Sequence, residues 1–241
     1  MAAHGEISPM PTCAIFSDTE DEEGRVYEWL EWLKCRLPFP VIRVSIGKLS
    51  MAATAVRVSK SGNKYLRPGI PVFFKDGEGR GNRQCTKDFK LIPIQRYAKL
   101  IRGDSRVVMW IGISTDEKER AKESREEWCD NRFPLLEKRL SREQCIAWMR
   151  EKGYPDPPDS ACVYCPFRSN ARWARMKTQR PVEFAKAVGF ERDYQAAAVG
   201  VLENTPFLHR SCVPLDQVDF ADPGDPQSFL WQDECEGMCG L

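Results

Sequence analysis

The chain has 241 residues, 42% of them hydrophobic and 29% charged, and its charges nearly cancel to a net +1. These values fit one large globular domain, or a domain with an appendage, and exclude a strongly basic or acidic polyelectrolyte. No apolar run reaches the roughly 18 residues of a membrane span and no signal-peptide pattern opens the chain, so a cytoplasmic protein without a membrane partner is expected. Ten cysteines without a secretion signal argue against a disulfide framework. With only His4 and His209 available, any multidentate soft-metal site must be mostly thiolate.

Residues 1–12 are polar and expected to fray. Cys13 to Phe16 reads as a buried strand entering an acidic loop, Ser17 to Glu23. Val26, Trp29, Leu30 and Leu33 recur at helical spacing before Pro38, and Phe39 to Ile46 reads as the next strand. Strand, helix, strand at this spacing predicts a parallel α/β layer. Residues 47–84 are the least regular part, with glycines and basic residues such as Lys60, Lys64, Arg67, Arg80 and Arg83. A helix is expected from Arg83 through Ile101.

Val107 to Ile113 is a continuous apolar run, the strongest signal for a buried parallel strand. It leads into Ser114 to Arg120, and polar residues past the carboxyl end of such a strand are where open α/β sheets place ligands. Asp116, Glu117 and Arg120 are candidates there, against a salt-bridged helix start as the plainer reading. Ser141 with Glu143 and Gln144 opens a helix ending near Gly153. Trp173, Met176, Phe184 and Val188 mark the apolar side of a helix over 170–188. Trp29, Trp32, Trp148 and Trp173 all fall on expected helices and read as core. The division expected is an α/β core over 1–153 and a Cys-rich C-terminal segment over 154–241.

The chemistry centres on Ser160-Ala161-Cys162-Val163-Tyr164-Cys165-Pro166-Phe167. A Cys-x-x-Cys lets two sulfurs face one point, as a metal ion, an iron–sulfur cluster or a dithiol couple requires. Cys85, flanked by Arg83 and Lys87 at an expected helix start, is placed to favour thiolate. Cys235 and Cys239 stand in the tail. Cys85, Cys162, Cys165 and one tail cysteine would supply four thiolates, suiting [4Fe–4S] and tetrahedral zinc equally by ligand count. Cys35, Cys129 and Cys145 lie on expected helices and Cys13 at a strand start; these, like Cys212, read as packing residues. Arg83, Lys87 and Lys90 near a helix N-terminus are candidates for phosphate or sulfate binding. For Asp18 a helix N-cap is the plain reading.

Four segments together resemble the phosphoadenosine phosphosulfate reductase-like branch of the PP-loop ATP pyrophosphatase superfamily. They are Ala14 to Thr19; Arg83-Gln84-Cys85-Thr86 with Lys90, Pro93 and Ile94; Trp110 to Glu117 with Arg120; and Ser160 to Phe167. The closing Glu234 to Gly240 fits as well. The resemblance implies an adenine nucleotide alpha-hydrolase-like fold, a Rossmann-like parallel sheet with helices on both faces. It also implies a [4Fe–4S] centre in preference to zinc, with metal ligands Cys85, Cys162, Cys165 and Cys235. Reductases of this group pair two adjacent cysteines with a later Cys-x-x-Cys, and here Thr86 stands where the second of the adjacent pair would be. The second tail cysteine, Cys239, resembles the family's catalytic tail thiol, with Cys235 and Cys239 interchangeable between that role and the fourth ligand. Asp116 is expected as a second catalytic group, and Asp18 resembles an acidic residue near the nucleotide.

The superfamily's Ser-Gly-Gly-x-Asp-Ser phosphate loop does not occur in the sequence, and about a dozen residues precede the strand that bears Asp18 and Thr19. The resemblance then implies a start later than in its relatives, a branch without the usual nucleotide hydrolysis, or a partner chain or second copy that completes the fold. Three functions follow. The first is an enzyme of sulfur or adenylate chemistry that binds ATP or a sulfonucleotide, with Arg83, Lys87, Lys90 and Arg120 offsetting phosphate charge. The second transfers sulfur to a nucleic-acid base. In the third, a four-thiolate metal only staples a non-catalytic subunit.

Overall fold

The architecture was obtained as a computed structural model, which describes residues 1–75 and 80–221. The first strand, β1 (Ala14–Ser17), is followed by helix α1 (Gly24–Lys34) and by β2 (Val41–Val44), which pairs with β1 in parallel, Ala14 opposite Val41. This is the strand–helix–strand layer expected from the apolar spacing, with the second strand shorter than Phe39 to Ile46. α2 (Leu49–Thr54) leads to an antiparallel hairpin of β3 (Val56–Val58) and β4 (Lys64–Leu66), and then to β5 (Phe73–Phe74).

The expected helix after Arg83 forms in three parts: α3 (Gln84–Thr86), a π-helical turn over Lys87–Leu91, and α4 (Ile92–Arg102). A π turn carries one extra residue into the helix and recurs at functional sites. α4 packs on β1 and β2.

The apolar run beginning at Val107 forms only a short strand, β6 (Val107–Trp110), and it is not fully buried: Val108 is exposed while Ile111 and Ile113, past its end, are buried. Its parallel partner β7 (Cys129–Arg132) was not anticipated from the sequence, and Cys129 lies on this strand rather than on a helix. α5 (Pro134–Glu137) and α6 (Arg142–Glu151) follow. Ser141 and Gln144 close the capping box at the start of α6. The helix expected over 170–188 is two helices, α7 (Asn170–Gln179) and α8 (Pro181–Ala198), broken where Pro181 cannot continue the ladder of α7. The last strand, β8 (Pro206–Phe207), pairs antiparallel with β5.

The molecule is thus a mixed α/β fold with two small parallel strand pairs, β1–β2 and β6–β7. Among the described residues no ladder joins the two pairs. The N-terminal segment helps to bridge them. His4 shares a hydrogen bond with the Tyr154 hydroxyl (2.8 Å), Glu6 accepts from the Trp148 indole (2.9 Å), and Arg132 of β7 donates to the Ser8 carbonyl (2.7 Å). Tyr154 meets Trp32 edge-on and Trp32 stacks on Trp29, so the aromatic chain reaches α1. Residues 4–8 are therefore docked rather than frayed, because the His4 ring, the Glu6 carboxylate and the Ser8 carbonyl find partners and Ile7 is buried. Trp29, Trp32 and Trp148 serve this half-buried seam, and only Trp173 lies in the core.

The core gathers α2, α7 and α8 around Trp173, Met176, Phe184, Ala187 and Leu208. Glu191 of α8 is buried in it and accepts the backbone N–H groups of Leu208 (2.8 Å) and Leu215 (2.7 Å). Burial raises its carboxyl above the ordinary value, while the two N–H donors work against the shift. Glu191→Ala would strand both donors, so a loss of about 2–3 kcal/mol is expected in urea unfolding. A loss below half a kcal/mol would show that water takes over both bonds.

Candidate metal and anion site

The site begins with the run Ser17-Asp18-Thr19-Glu20-Asp21-Glu22-Glu23, which composition alone would place on the surface. Apart from Glu20, all of these residues are buried. Buried carboxylates need partners, and each here has one. Asp18 accepts from the Tyr27 hydroxyl (2.9 Å), from the Glu20 N–H (2.7 Å) and from Arg43 (2.5 Å). It is therefore neither a helix N-cap, since Glu23 holds that position for α1, nor open to a ligand. Asp21 accepts from the Ser50 N–H (2.7 Å) and the Tyr164 hydroxyl (2.8 Å). Glu23 is 1% exposed and pairs with Arg168 (3.0 Å), Arg25 (2.9 Å) and Arg180.

This loop receives the Cys-x-x-Cys segment. Val163 donates its N–H to the Asp21 carbonyl (2.9 Å), and Glu22 and Cys162 form an isolated antiparallel bridge. The Cys162 thiol lies 3.2 Å from the Thr19 hydroxyl and 3.9 Å from Glu22 Oε1. Burial first, then the Glu22 charge, push this thiol well above its ordinary pKa. Glu22 Oε1 also meets the buried ammonium of Lys90 at 3.3 Å. Lys90 sits on the π-helical turn, which sets the buried ammonium against the acidic loop.

Cys85, Cys162 and Cys165 line one cavity, together with Arg83, Thr86, Lys90 and Tyr164. Cys85 is held there by its N–H on the Gly69 carbonyl (3.2 Å). Gly81 keeps the segment before it close, because a Cβ at that position would strike the Ile70 carbonyl. Arg83 lies over the Phe167 ring (4.9 Å), linking the Cys85 segment to the Cys-x-x-Cys-Pro-Phe segment. The structure brings together the three cysteines singled out in the sequence, although they are 77 residues apart between Cys85 and Cys162 by their numbers.

The donor set suits a thiolate-bound metal, and the cations Lys90 and Arg83 suit the negative charge such thiolates carry. The cavity measures about 30 Å³, room for a single ion. A four-iron cluster needs the sulfurs spread further. Among the described residues no three metal-ligating side chains are drawn into a coordination cluster. Cys235 and Cys239 lie outside the described residues.

Cys165 also lines a second cavity of about 220 Å³, whose walls include Arg142, Asp159, Ser160, Phe167, Arg168 and Arg172. Arg172 pairs with Asp159 (3.0 Å), and Arg168 is buried against Glu23. Arg142 and Arg172 belong as well to an adjoining cavity of about 400 Å³, which reaches Ser114 and Glu117. That one shares Arg142, Ile146 and Arg150 with a cavity of about 570 Å³ lined by Asp116, Glu117 and Arg120. Shared walls set these cavities side by side between the end of β6 and Cys165.

Asp116 accepts from the Arg142 N–H (2.6 Å) and the Ser114 hydroxyl (3.1 Å), and the first of these holds its carboxyl below the ordinary range. It is an ionised anchor for the start of α6 and a weak base. Glu117 and Arg120 pair with each other. Lys87 is exposed and lines none of these cavities. Arg142, Arg168 and Arg172 were not singled out from sequence; for Arg168 and Arg172 the signal is the density of arginine after Cys165, in Phe167-Arg168-Ser169-Asn170-Ala171-Arg172, and Arg142 carries none.

No protein-family model matches the chain, and neither a curated protein nor a solved structure does.

Proposed function

We propose that this protein works in sulfur or adenylate chemistry, as a phosphoadenosine phosphosulfate reductase-like protein with a metal centre held by Cys85, Cys162 and Cys165. The observation that carries the reading is the convergence of these three thiols on one cavity whose wall, Cys165, is shared with an arginine-lined pocket. In this reading both parallel strand pairs belong to one Rossmann-like sheet, and a tail cysteine, Cys235 or Cys239, is the fourth ligand. A [4Fe–4S] cluster is the centre implied by the motifs; the thiol cavity as it stands has room for a single ion, so holding the cluster would require Cys85, Cys162 and Cys165 to move apart. Arg142 and Arg172 orient an anionic substrate group, phosphate or sulfate, and Lys90 and Arg83 balance the thiolates. The small thiol cavity favours zinc as the rival, in a protein whose metal holds the fold and does no chemistry.

Anaerobic purification followed by iron, sulfide and zinc analysis separates the two. The expected product is brown, with about four irons per chain. The joint substitution Cys162→Ser and Cys165→Ser should abolish metal binding, and Cys85→Ser should lower it. A colourless protein with one zinc per chain selects the rival, and a metal-free wild type overturns both. Adenylyl sulfate or ATP binding by calorimetry, weakened by Arg172→Ala, tests the substrate class.

A further inference from the structure

Between Trp32 and Lys75 the chain carries nine Lys or Arg residues and no Asp or Glu. In a protein of net charge +1, that stretch sets one region apart from an otherwise acid-rich remainder. Its outermost part is the β3–β4 hairpin. Arg57, Lys60, Lys64 and Tyr65 are all exposed there. Val58 is 63% exposed and Tyr65 40%, unusual for the apolar residues of a ribbon that packs on a core. Only Leu66 of the two strands meets the core.

Arg57 and Tyr65 face each other across the ladder, so both side chains rise on one face of the ribbon. A guanidinium beside an exposed phenol ring offers a phosphate contact and a stacking platform within one base step. Lys60 at the turn and Lys64 on β4 extend the positive strip. The strand then runs through Arg67, Pro68 and Gly69 directly to Ile70 and Pro71, which line the thiol cavity.

We infer that this hairpin is a docking surface for single-stranded nucleic acid. Arg57, Lys60 and Lys64 supply the electrostatic attraction, Tyr65 supplies the stack, and the ribbon's path leads a bound strand toward the mouth of the thiol cavity. The surface stands apart from the proposed metal centre, so RNA binding by the protein as purified can fail or hold independently of the metal analysis.

The test uses the full chain and a fluorescein-labelled RNA strand of roughly 12 nucleotides, a length suited to one small binding surface. Anisotropy titrations at several salt concentrations should show binding that weakens with salt. Arg57→Gln, Lys60→Gln and Lys64→Gln together should weaken it at least about tenfold and reduce the log–log salt slope by about 2, as three lost phosphate contacts require. Tyr65→Ala alone should weaken it by roughly five- to a hundredfold. The substituted positions are exposed, and unchanged thermal melting would confirm that each variant folds.

The inference fails if the wild type binds no RNA at low salt, or if the triple variant binds as well as the wild type. It also fails if heparin competes fully and Tyr65→Ala has no effect, which would be charge attraction alone. Tighter binding of duplex RNA, or of anionic vesicles, would equally overturn it.

Discussion

Glu23→Ala is expected to destabilise the protein by about 3–5 kcal/mol in urea unfolding, the cost of leaving a buried charge without its counter-ion. Arg168 is the reason. Its guanidinium is buried, pulled below its ordinary pKa by desolvation, and held by Glu23 Oε1 at 3.0 Å and by the Cys162 carbonyl at 3.2 Å. Without Glu23 it must stay charged in a dry site or pull out of it, and either change breaks the contact with the thiol loop. Glu23→Gln keeps the shape but not the charge, and should lose nearly as much. Arg25→Ala removes only the most exposed of the three partners and should cost under about 1 kcal/mol. If Arg25→Ala and Glu23→Ala cost the same, the buried pair is not what fixes this junction.

The second large effect is expected at Trp173, where Trp173→Ala should cost about 3–5 kcal/mol. The residue is 0% exposed, with the Phe184 ring edge-on at 6.4 Å and the Arg168 guanidinium over its own ring at 5.2 Å. It therefore ties α7, α8 and the segment after Cys165 into one packed unit. Trp173→Phe leaves a smaller void and should cost less than half as much, and Trp173→Ala should also weaken binding of an anionic ligand at the Arg168 pocket. A variant that melts normally would mean the void collapses at little cost.

The sequence carried its clearest signals where a single physical rule acts alone. The helix of α1, the capping box at Ser141 and the strand pair β1–β2 follow from periodicity and side-chain hydrogen bonding, and they were legible. The placing of Cys85 on one cavity with Cys162 and Cys165 was expected from the family motifs, since nothing local links positions 77 residues apart. The burial of Asp21, Glu22 and Glu23 was not legible. A run of acids reads as solvated surface unless one knows that Arg168, Arg180, Lys90 and Tyr164, far along the chain, come to meet it. β7 was missed because Cys129-Asp130-Asn131-Arg132 has no strand composition and is a strand only through its partner β6. The break at Pro181 was readable from proline's missing N–H, yet the apolar spacing continued across it.

The acidic loop also bears on the order in which the chain assembles. β1, α1 and β2 lie within 31 consecutive residues, and β6 and β7 within 26, so each pair closes by short loops that form early. The junction of Asp21, Glu22 and Glu23 with Val163, Cys162 and Arg168 spans about 140 positions and is expected to close after them. A nascent chain leaving the ribosome from its N-terminus holds Asp21 without Tyr164, and Glu23 without Arg168 and Arg180, until residue 180 has emerged. Until then Cys85 is apart from Cys162 and Cys165, so the cavity that these three cysteines line is completed only after the C-terminal helices fold onto the loop.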